Sequence, residues 1–96
     1  EIRTAKVLSV REHPNADRLY LIEIDLGTEK RQVVAGIRKS YIPEELIGKN
    51  VAVIANLKPA VIRGEESNGM ILAASNEEST VILTTEKDIP AGSTIK

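Results

Sequence analysis

The segment LYLIEIDLGTEKRQVVAGI, residues 19–37, decides the fold class of this 96-residue chain. Every second residue from Tyr20 to Leu26 is apolar, so a strand at residues 19–26 would place these side chains on one face. The triplet Gly27-Thr28-Glu29 interrupts that pattern, and a second strand is predicted at residues 30–37. The segment therefore predicts an antiparallel hairpin and a domain built mainly from β-strands.

Short runs rich in β-branched residues continue this pattern on both sides. Further strands are predicted at residues 2–10, 51–57, 70–74 and 80–84, with a brief extension at residues 93–96. Pro43, Glu44 and Glu45 suit the first turn of a helix, and Gly48 suits its end, so residues 40–48 predict one short helix between strands 3 and 4. This order predicts an all-β, five-stranded Greek-key barrel of the OB type, although other small barrels and sandwiches fit it too.

Length and composition limit what the chain can be. Its 96 residues suit one domain, 1–96, and 42% hydrophobic with 28% charged residues is typical of globular proteins. The longest apolar runs, 51–55 and 70–74, are far too short for a membrane span. The first residues lack the basic and apolar stretches of a secretory signal, so we expect a cytoplasmic protein without a membrane partner.

Catalysis and metal binding are not expected. The chain has no cysteine and one histidine, His13, which excludes disulfides and thiolate ligands and disfavours a zinc site. Its obvious carboxylate pairs are adjacent in sequence and point apart, and no nucleophile constellation or phosphate-binding glycine loop is present. His13 lies in a polar turn, where a solvated or backbone-bonding role is the usual one. We therefore predict no enzyme activity and no cofactor.

Positive charge is concentrated in the middle of the chain. Residues 30–70 carry 7 basic and 4 acidic side chains, whereas the overall net charge is −1. This region contains the segment Asn56-Leu57-Lys58-Pro59, then Arg63-Gly64, then Ser67-Asn68-Gly69-Met70. Lys58 and Arg63 supply charge, and Ser67 and nearby backbone amides supply hydrogen bonds, which suits a phosphate-rich surface. A chance excess of charge on a solvated face explains the same count.

The aromatic content indicates how a nucleic acid would be recognised. The chain has two tyrosines, Tyr20 and Tyr41, and neither Phe nor Trp. Domains that grip single strands stack bases on several aromatic rings. Any nucleic-acid partner is therefore expected to be recognised by shape and backbone.

Several longer segments resemble one known family. They are residues 13–20 (HPNADRLY), 31–37 (RQVVAGI), 41–48 (YIPEELIG) and 56–70, with a matching close at 81–92. Together they resemble the tRNA-binding domain family. This module lies at the C-terminus of many methionyl-tRNA synthetases or forms their separate beta subunit. It is shared with endothelial monocyte-activating polypeptide and with free-standing tRNA-binding proteins.

The resemblance implies an OB-fold that binds the outer corner of tRNA without catalysis, often as a homodimer, with methionyl-tRNA synthetase as a further partner. It implicates Ser67 and Met70 in tRNA contact, and makes Asn56, Lys58 and Arg63 their companions. Charge alone adds Arg31, Arg38 and Lys39. The chain departs from many members at Ala35, where they carry Ser, and in beginning without their leading helical segment, on which dimerisation could depend.

Two alternatives remain from the sequence. A chaperone-like branch with the same barrel binds polypeptides, and a groove lined by Val61, Met70 and Ile71 would accept an apolar peptide. The domain would otherwise serve assembly alone, forming a dimer that binds neither ligand.

Overall fold

An antiparallel meander forms the first half of the molecule, as the hairpin pattern predicts. A computed structural model describes all 96 residues. The meander comprises β1 (Ile2–Glu12), β2 (Tyr20–Asp25) and β3 (Lys30–Ala35). The remaining elements are α1 (Pro43–Leu46), β4 (Asn50–Ile54), β5 (Ala60–Ile62), β6 (Glu65–Ser67), β7 (Met70–Ile71), β8 (Ala73–Ser75) and β9 (Thr80–Ile82).

Five of these strands form one curled sheet in the order β3-β2-β1-β4-β7, with every neighbouring pair antiparallel. The long strand β1 serves two neighbours, because its first half pairs with β4 and its second half with β2. A register shift between Val7 and Ser9 marks the place where it bends from one partner to the other. The predicted OB-type barrel is confirmed.

The concave face of the sheet encloses the core. Its most deeply buried apolar side chains alternate along the strands, as a half-buried sheet requires: Val7, Ile22, Ile24, Val33, Val51 and Val53. Leu46, 1% exposed, joins this cluster from α1. Complete burial of one such side chain stabilises a fold by roughly 1.5 to 3 kcal/mol. The helix therefore contributes a single residue to the core.

The helix begins at Pro43, as predicted, and ends before the predicted Gly48. It spans Pro43–Leu46, a single turn, and no helix in the structure has the length and apolar character needed to cross a membrane. The Glu45 carboxylate accepts a hydrogen bond from the Ile42 backbone N–H at 2.9 Å, which closes the first turn. Ile47 is extended, with φ −60° and ψ 130°, so the helix ends before Gly48.

The C-terminal half differs from the prediction in three places. Residues 60–67, where no strand was predicted, form the β5–β6 hairpin. The strand predicted at 70–74 is broken at Leu72, whose N–H donates to the Ala52 carbonyl at 2.9 Å, and β8 then pairs with β9. The strand predicted at 93–96 is a single bridge between Arg3 and Thr94. The short strands therefore satisfy backbone groups by pairing with each other, outside the five-stranded sheet.

The turn at Gly92 packs against the turn at Gly27 and holds the C-terminal tail against the sheet. Gly92 lies in the left-handed region with φ 86°, and a Cβ there would overlap the Leu26 carbonyl oxygen. Its N–H donates to the Thr4 carbonyl at 2.7 Å, and its carbonyl accepts from the Arg3 guanidinium at 2.9 Å. A side chain at this position would push the tail off β1.

Gly92→Ala should therefore destabilise the fold more than Gly48→Ala. Gly48 has the same φ, 86°, but open space around the position of a Cβ. The Gly48 variant should lose only the conformational preference, about 1 to 2 kcal/mol. The Gly92 variant should lose at least about 1 kcal/mol more, from the overlap. Urea unfolding of both measures the difference, and equal losses would contradict the close approach of the two turns.

A second prediction concerns Asp88, which joins the tail to β4 and β1. Its carboxylate accepts a hydrogen bond from the Asn50 amide at 3.0 Å and lies 3.8 Å from the Lys6 ammonium. The Asn50 hydrogen bond, followed by the Lys6 charge, holds the pKa of Asp88 below its ordinary value of 3.8. Because the folded pKa is the lower one, this stabilisation is present above pH 3.8 and is lost as the pH falls through the folded value.

Asp88→Asn should thus be slightly less stable than the parent chain at neutral pH, and the two should converge in acid. Urea midpoints measured at about pH 7 and about pH 2.5 test the convergence. A stability gap that is unchanged or wider in acid would show that the carboxylate charge is not the cause.

Candidate nucleic-acid interface

Residues 55–69, which we call the arm, leave the sheet and return to it at one point. Ile54 at the end of β4 pairs with Met70 at the start of β7, so the two ends of the arm are adjacent. Between them, β5 and β6 pair from Ala60 with Ser67 to Ile62 with Glu65. Three residues of strand extend about 10 Å. Lys58 and Met70 therefore lie near the base of the arm, and Arg63 lies at its tip.

The tip of the arm is a two-residue turn made of Arg63 and Gly64. Both have positive φ, 54° and 90°, which is the signature of a type I′ hairpin. Arginine is rare in this region, and a residue other than glycine costs about 1 to 2 kcal/mol there. The Arg63 side chain is exposed and has no ion-pair partner within 4.0 Å. Backbone strain beneath a free cation is typical of a functional position.

His13 attaches the arm to the turn that follows β1. Its ring is 3% exposed, and its Nδ1 accepts a hydrogen bond from the Asn15 N–H at 3.0 Å. That bond assigns the proton to Nε2, which donates to the Ile62 carbonyl at 3.0 Å. The Asn15 side chain reaches the next carbonyl, that of Arg63, at 3.5 Å. Of the two roles considered for His13, the structure shows the backbone-bonding one, in a buried setting.

Ser67 closes the barrel and does not face the surface. Its side chain is 4% exposed, and its Oγ accepts a hydrogen bond from the Val34 N–H at 2.9 Å. The same hydroxyl donates its proton to the Gly69 carbonyl at 3.1 Å. The next residue, Asn68, donates its N–H to the Gln32 carbonyl at 2.8 Å. The Ser67 hydroxyl is therefore bonded within the chain and fixes the arm against β3, whereas its expected contact with tRNA stays a prediction.

Two of the predicted basic residues are engaged inside the molecule. Arg31 binds the Glu29 carboxylate and donates to the Ala55 carbonyl, which holds the base of the arm. Arg38 lies 3.1 Å from the Glu12 carboxylate and donates to the Ala16 carbonyl at 3.3 Å. Each guanidinium is therefore partly used in holding the chain together, and each keeps further N–H groups that can donate to a phosphate. Their role in tRNA contact, selected from charge alone, stays a prediction.

The other predicted residues are exposed. Lys58 and Lys39 are accessible and have no ion-pair partner within 4.0 Å. Met70 is 51% exposed beside the base of the arm. Asn56 is also exposed, and its side-chain oxygen accepts a hydrogen bond from the Glu1 backbone nitrogen at 2.8 Å. The free cations of the arm are therefore Lys58 and Arg63.

Sequence reasoning missed Arg18. The structure opens a cleft of about 410 Å³ between the turn after β1 and the tip of the arm. Its lining residues are Ala16, Asp17, Arg18, Leu19, Ile62 and Arg63. Arg18 is exposed and unpaired, like Arg63. Because Arg18 lies outside the basic region 30–70, counting charge along the chain did not identify it. Only the fold brings Arg18 and Arg63 to the same cleft.

Both tyrosines serve the core. Tyr20 is 3% exposed and donates its hydroxyl proton to the Tyr41 carbonyl at 2.6 Å, and burial raises its pKa above the ordinary value of 10.0. Tyr41 packs against the core, and its hydroxyl accepts the Ile82 N–H at 3.0 Å. The buried Tyr20 ring offers no surface on which a base could stack.

Comparison with known proteins gives a consistent result. The family model described as "Putative tRNA binding domain" matches residues 2–94. The methionine–tRNA ligase of Thermococcus kodakarensis is 49% identical over 96 residues, which is 100% of this chain and 13% of that protein. The chain thus spans about one eighth of the length of this relative.

Solved structures agree with the sequence match. A methionyl-tRNA synthetase-related protein from Pyrococcus horikoshii superposes with a TM-score of 0.92 at 29% identity, covering 99% of this chain and 88% of that one. The chaperone CsaA from Bacillus anthracis gives a TM-score of 0.89 at 30% identity, covering 99% and 89%. Since the family match extends over almost every residue, this chain belongs to the tRNA-binding domain family.

Proposed function

We propose that this chain binds tRNA without catalysing a reaction and thereby assists a methionyl-tRNA synthetase or related RNA machinery in the cytoplasm. The supporting observation is that the family match includes the arm, on which Lys58 and Arg63 are exposed and unpaired. Contacts to phosphate and sugar position an RNA without reading its sequence. Specificity then comes from the shape of the tRNA, in agreement with the scarcity of available aromatic rings.

The arm is suited to this task because it is fixed before any ligand arrives. Its tip is held by the hydrogen bond between the His13 ring and the Ile62 carbonyl. Its return to the sheet is held by the hydrogen bond that the Ser67 hydroxyl accepts from the Val34 N–H. A preorganised surface avoids most of the ordering entropy that binding would otherwise cost. Ser67 thus contributes to tRNA binding through the backbone of the arm, whereas Lys58, Arg63 and Met70 supply the contacts. We include the exposed Asn56 and Lys39 as further contacts.

The proposed partners extend beyond tRNA. The relatives that match are whole methionine–tRNA ligases, of which this chain corresponds to a small part. We therefore assign the ligase reaction to other regions of such a protein and tRNA capture to this one. A homodimer, in which two barrels would form one continuous groove, is part of the same proposal.

Peptide binding is the second candidate function. It is favoured by the likeness to the chaperone CsaA and by three exposed apolar side chains in or beside the arm. Val61 is 73% exposed, Met70 51% and Leu57 41%. The two functions respond differently to salt, because phosphate contacts release counterions whereas apolar contacts do not. Binding of tRNA should fall steeply between about 50 mM and 200 mM salt.

Arg63→Asn tests the arm directly. Asn tolerates positive φ, and Asn-Gly is a preferred type I′ pair, so this variant should be as stable as the parent chain or more stable by up to about 1 kcal/mol. Its tRNA affinity should nevertheless fall, and the slope of log affinity against log salt should flatten by about one unit. Filter binding at several salt concentrations and urea unfolding measure the two effects.

The matched control for this test is Lys49→Asn. Lys49 is exposed and unpaired, and it immediately precedes β4, whereas the arm follows the other end of that strand. Lys49→Asn removes one positive charge, as Arg63→Asn does, but at the other end of β4. If Arg63→Asn and Lys49→Asn weaken tRNA binding equally, the arm is not the interface.

His13→Ala tests the fixation of the arm. Removing the ring leaves the Ile62 carbonyl and the Asn15 N–H without their partners, at a cost of about 1 to 3 kcal/mol. The tip should then open more often, so trypsin should cut after Arg63 at a higher rate, and tRNA affinity should fall although no cation is lost. The cleavage site is identified by mass spectrometry. An unchanged rate at Arg63 in a folded variant would show that His13 does not hold the tip.

A further inference from the structure

We propose that the cleft between Arg18 and Arg63 binds one unpaired nucleotide of an RNA, an inference that rests on the proposed tRNA binding. The cleft has a volume of about 410 Å³. Sites that enclose small ligands range from about 300 to 1,000 Å³. The cleft is thus of a size for one nucleotide and too small for a folded RNA element.

The lining residues match the separate parts of a nucleotide. Ala16, Leu19 and Ile62 are partly buried and give the cleft an apolar surface, which suits the face of a base. The Arg18 and Arg63 guanidiniums can stack on a base or bind the adjoining phosphates. Arg18 and Arg63 are the exposed and unpaired cations that line the cleft, one from the turn after β1 and one from the tip of the arm.

Asp17 narrows the class of ligand. Asp17 lines the same cleft, is exposed, and forms no ion pair within 4.0 Å. A bare phosphate would be repelled by this group, whereas a nucleotide presents donors to it, namely a base amino group or the ribose 2′-hydroxyl. The combination of two free guanidiniums, a free carboxylate and an apolar surface therefore favours a nucleotide over a simple anion.

The walls of the cleft are held in place from behind. On one side, the His13 backbone N–H donates to the Leu19 carbonyl at 3.1 Å. The Arg38 guanidinium donates to the Ala16 carbonyl at 3.3 Å, and the Arg38 backbone N–H donates to the Arg18 carbonyl at 3.4 Å. On the other side, the His13 ring holds the Ile62 carbonyl. The walls of the cleft are thus in place before a ligand binds, so binding costs little conformational entropy. His13 and Arg38 act here as positioning residues.

The experiment combines a cleft-filling variant with a cross-link to the unmodified chain. Ala16→Leu fills the cleft without changing charge, and we expect it to weaken tRNA binding about tenfold, the lower range of what stacking one base contributes. Ala74→Leu is the matched control, since Ala74 is exposed on the separate β8–β9 hairpin. It should bind tRNA as the parent chain does.

The cross-link uses a tRNA transcript containing thiouridine and the parent chain, so it does not depend on how well the variant folds. Light should join an unpaired nucleotide to residues 16–19 or 62–63, located by mass spectrometry. Cross-links confined to other residues, or arising only from paired nucleotides, overturn the nucleotide site while tRNA binding stands. Unchanged affinity in Ala16→Leu overturns it as well. If the parent chain fails to bind tRNA at all, the proposed function itself is wrong and this inference falls with it.

Discussion

Closure of the barrel between β3 and β6 is the constraint on which the rest of the structure depends. A curled sheet leaves its last strand with unpaired backbone groups unless another strand covers them. Here the Ser67 hydroxyl occupies the place of a backbone acceptor for Val34, and Gln32 binds Asn68 and Glu66 on either side of it. The arm is therefore part of the barrel wall, and its position is determined by the same bonds that complete the fold.

That dependence explains which elements of the fold could be predicted from the sequence. The meander and the central strand were predictable, because the alternation of Ile22 and Ile24 with polar residues is a local property of the chain. The β5–β6 hairpin was not, since Arg63-Gly64 is an unusual pair for a type I′ turn and the hairpin depends on contacts with β3 and His13. Local sequence carries no information about a partner 49 residues away.

The same distinction applies to the candidate site. Composition identified a basic central region, and Lys58 and Arg63 are indeed exposed. It could not separate free cations from engaged ones, because the partners of Arg31 and Arg38 include backbone carbonyls that only the fold brings near. It also could not find Arg18, whose significance arises from a neighbour across the cleft. Charge counts thus locate a surface roughly, whereas hydrogen bonds decide which charges remain available.

Stability and binding make opposite demands on the tip of the arm. A type I′ turn is most stable with Asn or Gly at its first central position, and Arg63 occupies that position at a cost. The cost is tolerated because His13 and Asn15 bind the two carbonyls that flank the turn, those of Ile62 and Arg63, and so hold the strained backbone. A buried histidine in a polar turn and a strained arginine in a hairpin are therefore two parts of one arrangement. It places a guanidinium at the end of a rigid arm, next to a second one on the barrel.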